Sequence, residues 1–215
     1  MVQKSNNRSI DGRPPPRVRR YDARRDGILR AAARIFRERG FSDTGMRDIA
    51  VATDLSPANL YHYFKGKDEI LFYCQDRALD RMLTGVVQAR RAMKLADQRL
   101  LAVLTTHVLT MLDEVEGATA HLQVEALSPP LRDRIVRKRD RYERAVRRMI
   151  TDGITSGTFV AGDAALLTRA MLGALNWVVT WYRPDGLHAP PQIASEMANY
   201  LVRGLKKHPP ALQRM

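Results

Sequence analysis

The sequence predicts an all-α protein. Three observations carry that expectation. Apolar residues recur at spacings of three and four through most of the 215-residue chain. The breaks between such runs fall at Gly and Pro, as at Gly117, Pro129–Pro130, Gly157, Gly162 and 184–191. No run alternates Val, Ile or Thr as a half-buried strand would, and no repeat of fixed period appears.

Composition bounds the possibilities. Apolar residues at 45% and charged residues at 27% are ordinary for a globular chain, which at this length buries roughly 70% of its unfolded surface. The charge is not ordinary: 36 Lys and Arg against 23 Asp and Glu leave a formal +13. That excess points to a polyanion such as nucleic acid, or to an anionic membrane surface. One cysteine, Cys74, excludes an intrachain disulfide framework and a Cys-based zinc site. The most apolar stretch, Ala170 to Tyr182, is interrupted by Asn176 and is too short to span a bilayer. The N-terminus is polar and basic, with no apolar signal segment, so a cytoplasmic location is expected.

Residues 1–20 read as a flexible, disordered basic arm. Lys4, Arg8, Arg13, Arg17, Arg19 and Arg20 face one acidic residue, Asp11, and Pro14 to Pro16 favour extended polyproline geometry. Such an arm is either a solvated tail or a segment that tracks a phosphate backbone or enters a minor groove. The first helix is expected over 22–39, with Ile28, Ala32, Ile35 and Phe36 on one face and Gly40 as its C-terminal stop. Thr44 is the expected N-cap of a short second helix whose buried stripe is Met46, Ile49 and Ala50. Asp54 sits in the turn. Ser56 caps a third helix, Pro57 occupies its first position, and Leu60 and Phe64 are its buried pair. A fourth helix starts at Lys67 and runs to about Ala89. Further helices are expected at 97–115, 119–127, 130–156, 163–182 and 190–207, about nine in all.

The segment 46–64 has the layout of a helix-turn-helix. A major groove admits one helix, and base edges are read by the few side chains on its exposed N-terminal face. Ala58 and Asn59 face outward ahead of buried Leu60. Tyr61, His62 and Tyr63 cluster behind them with Lys65 and Lys67, and hydroxyls, imidazole and ammonium groups are good donors to phosphate and base edges. The competing reading, a packed aromatic helix end, fits Phe64 best and leaves His62 and Tyr63 open.

The stretch ILRAAARIFRERGFSDTGMRDIAVATDLSPANLYHYFKGKDEIL resembles the DNA-binding domain of the TetR family of bacterial transcriptional regulators, over residues 25–73. The resemblance implies that Thr44 and Arg47 touch phosphate. It implies that Pro57, Ala58 and Asn59 face the bases, and that Tyr61 and His62 contact the backbone. Lys67 would hold a phosphate at the N-terminus of the fourth helix. Asp54 replaces the family's usual Gly, and Asp tolerates left-handed geometry. Pro57 and Ala58 also depart from the family's usual residues, which leaves base preference open. Residues 173–187, GALNWVVTWYRPDGL, resemble a subset that includes repressors of fatty-acid and sterol catabolism. That likeness implies a homodimer through helices near 163–182 and 190–207, and a small-molecule effector enclosed by the helices between.

An N-terminal helix-turn-helix domain over 21–68 and a C-terminal ligand-binding and dimerisation domain over 69–215 are therefore expected. Trp177, Trp181 and Arg183 are candidate effector contacts, against core or dimer packing for the tryptophans and helix capping for Arg183. The Leu, Val and Met stripe over 100–127 is core that could also wall an apolar cavity. His107 and His121 lack tight ligand spacing, so neither a metal nor a cofactor is expected. Residues 132–148 carry nine basic against three acidic residues, which suits a solvated face, a second DNA surface, or a patch for an anionic effector such as an acyl-CoA.

The expected function is a dimeric repressor on a palindromic, double-stranded operator, released by an effector. The alternatives are an activator, a nucleoid-type DNA binder, a membrane-surface protein, or an enzyme acting on acyl-CoA. No Ser-His-Asp order, phosphate-cradling loop or metal motif supports an enzyme, and no basic amphipathic helix with aromatic anchors supports a membrane surface.

Overall fold

The computed structural model describes residues 16–113 and 124–207. Residues 1–15 of the expected arm, most of the helix expected at 119–127, and His121 lie outside the described residues. The described chain is helical, and among the described residues the β-pairing is one isolated bridge, Phe159 to Lys206.

The first helix, α1 (Pro16–Arg39), starts six residues before the expected Asp22. Arg17, Arg19 and Arg20 therefore sit on a helix rather than in an extended arm. Proline obstructs a helix interior but is tolerated in the first turn, so Pro16 opens α1 where the proline run was read as a barrier. Two contacts tie this end of α1 to the next elements: in the added turns the Tyr21 ring lies 5.0 Å from that of Tyr63, and just after them the Arg24 guanidinium donates to the Thr53 carbonyl at 2.8 Å. Gly40 ends α1 in the left-handed region at φ +84°, its N–H bonded to the Phe36 carbonyl.

Helices α2 (Met46–Ala52) and α3 (Pro57–Tyr61) follow, joined by a turn in which Asp54 takes φ +50°. Ser56 caps α3 as expected, its hydroxyl accepting from the Asn59 N–H. Phe64 is buried in the turn after α3 rather than on the helix itself. Ile28, Ala32, Phe36, Ile49, Ala50, Leu60 and Phe64 close one hydrophobic core, the head.

Helix α4 (Lys67–Ala92) belongs to two cores. Its first half gives Ile70, Leu71, Phe72 and Cys74 to the head; its second half gives Met82, Val86 and Ala89 to the body. The body adds α5 (Ala96–Met111), a 3-10 turn (Val124–Ala126), α6 (Pro129–Thr155), α7 (Ala164–Asn176), α8 (Val178–Trp181) and α9 (Pro190–Leu205). The single helix expected at 163–182 is split at Trp177, where the Thr180 N–H turns to the Trp177 carbonyl and the α-helical ladder is lost. Leu127, just after the 3-10 turn, and Ile135, in the first half of α6, pack into the head core and not the body.

The body closes at the α6–α7 and α9 ends. Phe159 lies against Gly153 of α6, and the Val160 N–H bonds the Leu205 carbonyl at 2.8 Å. Lys206 Nζ reaches Asp97 Oδ2 at 2.5 Å, tying the end of α9 to the start of α5. A side chain at Gly153 would overlap the buried Phe159 ring. Gly153→Ala should therefore destabilise the fold by about 1–3 kcal/mol through overpacking. A thermal melt should show a midpoint roughly 3–10 °C lower, and an unchanged midpoint would contradict this packing.

Candidate nucleic-acid interface and ligand cavity

Five-residue α3 is anchored from below and bare above. Leu60 is fully buried, while Pro57, Ala58, Asn59, Tyr61 and His62 are exposed. Tyr61 is 53% exposed, so its hydroxyl is available to a partner. Arg47 is exposed on α2. These six exposed residues include an amide, a phenol, an imidazole and a guanidinium, groups that donate to phosphates and base edges. Tyr63 is drawn back against Tyr21 and stands apart from them.

Two expected phosphate contacts are placed otherwise. Thr44 is 1% exposed, and its Oγ1 donates to the Gly40 carbonyl at 2.8 Å. It is also not the cap of α2; Gly45 is, with its N–H bonded to Asp48 Oδ2 at 2.7 Å. Lys67 turns inward. Its ammonium donates to the carbonyls of Phe41 (2.9 Å), Ser42 (3.2 Å) and Thr44 (3.0 Å), and lies over the Phe41 ring. Three donors meet three acceptors, which pins the α1–α2 loop to the start of α4. A lysine opening a helix reads from sequence as an anion grip; nothing local reveals that its partners are carbonyls 23 to 26 residues earlier.

A cavity of about 180 Å³ opens between head and body. Its walls are Gln75, Ala78, Leu79 and Met82 of α4, His107 and Met111 of α5, Arg139, Tyr142 and Glu143 of α6, and Leu172 and Asn176 of α7. One polar chain crosses it. His107 Nε2 meets Asn176 Oδ1 at 3.0 Å, and Nδ1 meets the Tyr142 hydroxyl at 3.2 Å. With the amide oxygen accepting, Nε2 carries the proton and the hydroxyl donates to Nδ1. Burial pushes the Tyr142 hydroxyl above its ordinary range, which keeps it protonated for that bond. Burial also lowers the pKa of the Arg139 guanidinium, and the nearby Glu125 charge works the other way. Both His107 nitrogens are engaged in the chain, and no cluster among the described residues could hold a metal ion.

Trp177, Trp181 and Arg183 do not line this cavity. Trp177 is 64% exposed, Trp181 is 46% exposed, and Arg183 is exposed in the turn after α8. Helix periodicity put the tryptophans on one apolar face; the break at Trp177 leaves them at the surface. Of the Leu, Val and Met stripe over 100–127, Met111 alone lines this cavity among the described residues, while Leu104, Val108 and Leu112 are body core.

The basic run on α6 divides by partner. Arg134 lies over Phe72, and Lys138 bridges Asp76 (2.6 Å) and Asp80 (2.7 Å) of α4. Burial opposes the Lys138 charge, but the two carboxylates outweigh it and raise its pKa. Arg139 enters the cavity and Arg147 pairs with Glu143. The other five arginines of the run, 132, 137, 141, 144 and 148, are exposed.

Because Lys67 joins the α1–α2 loop to α4, Lys67→Ala should act on stability. Bonds from a charged donor contribute about 1.5–3 kcal/mol, so the melting midpoint should fall by roughly 3–10 °C. The salt dependence of DNA binding should stay as in the wild type. An unchanged midpoint with a shallower salt slope would return Lys67 to the phosphate backbone.

Among the described residues no helix is long and apolar enough to cross a membrane. Residues 28–74 match the family described as bacterial regulatory proteins, tetR family, and residues 94–205 match the tetracyclin repressor-like C-terminal domain. The chain is 27% identical to the HTH-type transcriptional repressor KstR2 of Rhodococcus jostii, over 89% of this chain and 97% of that protein. Among solved structures, the TetR-family regulator PfmR of Thermus thermophilus is 32% identical with a TM-score of 0.76, over 84% of this chain and 99% of its own. AibR, solved with isovaleryl coenzyme A and operator DNA, is 25% identical with a TM-score of 0.72, over 83% and 98% of the two chains. A head that bares a short capped helix and a helical body that encloses a cavity thus coincide with matches to both halves of one family, and the chain belongs to the TetR family of bacterial transcriptional regulators.

Proposed function

We propose that the protein is a homodimeric repressor whose two heads, residues 21–68, bind a near-palindromic operator, and whose body, residues 69–215, takes a small effector and makes the dimer. The observation that carries this reading is α3: a rigidly capped helix with Leu60 below and Pro57, Ala58, Asn59, Tyr61 and His62 bare above. Pro57, Ala58 and Asn59 face base edges, where the Asn59 amide is suited to bidentate bonds with adenine. Arg47, Tyr61 and His62 contact the flanking phosphates.

The dimer face lies on α7 and α9. Leu166, Ala170, Gly173 and Trp177 are exposed at spacings of four, three and four on α7, and a side chain at Gly173 would meet open space in the single subunit. So exposed an apolar row needs cover, and a second copy supplies it. Trp177 and Trp181 are then dimer-edge residues.

The effector occupies the cavity between α4, α5, α6 and α7. A volume near 180 Å³ compares with the roughly 150 Å³ of an engineered cavity that binds benzene, so the buried group is compact. The short acyl end of a coenzyme A thioester, the ligand named for AibR, fits that size. Arg139, on the cavity wall, donates to its carbonyl. Helices α4 and α6 wall the cavity and also enter the head core, so a ligand between them favours one head position over another. The protein works in the cytoplasm and catalyses no reaction.

Selection from a random DNA pool followed by footprinting tests the operator reading. The wild type should protect a near-palindrome, and Asn59→Ala should weaken binding to it by roughly 1–3 kcal/mol for each base that Asn59 reads. Affinity for random DNA should hold. Equal weakening on both DNAs would remove Asn59 from base reading, and no selected sequence at all would defeat the proposal.

A further inference from the structure

Helix α1 faces two ways. One face fills the head core, and the other looks across a gap at the body. An open groove of about 700 Å³ runs along that gap, walled by Arg30, Ala31, Arg34, Arg37 and Glu38 of α1 and by Pro184 in the turn after α8. We infer that this groove binds a compact phosphate polyanion, of the diphosphate or triphosphate kind, braced between head and body. It shares no lining residue with the cavity assigned to the effector, and none of its walls belongs to α2 or α3. The inference therefore goes beyond the operator reading and does not rest on it.

The charges are arranged by helix geometry. Residues three and four apart share a face, so Arg30, Arg34 and Arg37 form one row. Seven residues rise about 10.5 Å along the axis, so the three guanidinium groups line a track. Each guanidinium is a fork of N–H donors that matches two phosphate oxygens at once. A linear polyphosphate offers successive forks their own oxygens, which a single phosphate does not. Glu38 is the one carboxylate in the wall, against three guanidinium groups. The wall carries no aromatic ring among the described residues, so it has no platform for a nucleobase. The polyanion is recognised by its phosphates alone.

The rival reading is a solvated helix face. Three features oppose it. Neighbouring charges on α1 already have structural work: Arg24 bonds the Thr53 carbonyl, Arg25 lies over the Phe64 and Tyr73 rings, and Asp26 pairs with Arg77. Arg30 and Arg34 are exposed, and no acidic group among the described residues pairs with either. Like charges four apart repel, and an anion between them removes that cost. Finally, a solvated helix face is convex, whereas Pro184 of the body makes this one concave. A ligand that touches both α1 and this turn ties head to body away from α4 and α6, the two helices that enter both cores.

The test uses the full-length protein without DNA. Inorganic phosphate, diphosphate and triphosphate are titrated by calorimetry at low salt, where exposed charges are least screened. Affinity should climb along that series, and a flat series would overturn the inference. For the doubly substituted Arg30→Ala, Arg34→Ala protein, triphosphate affinity should fall by about tenfold, through the loss of two partly screened pairs. Arg141→Ala with Arg144→Ala removes the same charge from the exposed face of α6 and should leave the affinity unchanged. All four arginines are exposed, so the melting midpoints should hold, which separates a missing grip from a damaged fold. Amide hydrogen exchange at 183–187 should slow when triphosphate is added to the wild type, and should not in the Arg30→Ala, Arg34→Ala protein. Unchanged exchange in that turn of the wild type would overturn the bracing of head against body. A wild type that binds no triphosphate, or an α6 variant that loses as much affinity as the α1 variant, would overturn the site.

Discussion

One ammonium group and three carbonyl oxygens set the joint on which the head depends. The loop between α1 and α2 is held by Phe41, buried in the head core against Phe36, and by Thr44, which bonds back to the Gly40 carbonyl. Lys67 gathers the carbonyls of Phe41, Ser42 and Thr44 onto the first residue of α4. The Phe41 and Thr44 carbonyls lie in a partly buried corner, where a missing partner is costly. A cation satisfies all three at once and lies over the Phe41 ring as well. The start of α2, and with it the approach of α3, is then referenced to α4.

Helix α4 carries that reference into the body. Its early residues Leu71 and Phe72 are head core, and its later residues Met82 and Val86 are body core. Helix α6 runs the same course: Ile135 packs in the head, Tyr142 and Met149 in the body. Arg134 on Phe72 and Lys138 between Asp76 and Asp80 clasp the two helices near the head. The cavity opens immediately beyond that clasp. A close-packed interior does not deform continuously, so a group inserted between α4 and α6 must move one of them as a body. On the repressor reading proposed above, the head would move with whichever helix yields.

What sequence revealed was what chain neighbours decide. Gly40, Asp54, Ser56 and Pro57 declare stops, turns and caps through their own backbone preferences, and all four lie where that chemistry put them. Leu60 and Phe36 declare burial through spacing. Residues whose partners are distant were opaque. Lys67 and Thr44 carry the side chains of phosphate contacts, yet their acceptors are backbone carbonyls brought close by folding. Trp177, Trp181 and Arg183 looked like pocket residues because aromatic and basic groups suit a ligand, but the helix breaks at Trp177 and turns them outward. The cavity walls come from four helices spread over about a hundred residues, and no local pattern announces such a meeting. Even the basic run on α6, uniform as a string, divides into ion pairs, a ring contact, a cavity residue and a solvated row.

Coupling between effector and operator requires that filling the space between α4 and α6 be felt at the head. Ala78 is buried on α4, between the two cores, and faces the cavity. The decisive measurement is operator affinity of Ala78→Trp, in a protein shown by melting and mass to be folded and dimeric. A space near 180 Å³ accepts an aromatic ring, so the indole should stand in for the effector. Operator binding should weaken by about tenfold or more, within the usual range of allosteric coupling, while affinity for random DNA is kept. A folded, dimeric Ala78→Trp protein that binds the operator as tightly as the wild type would contradict this coupling.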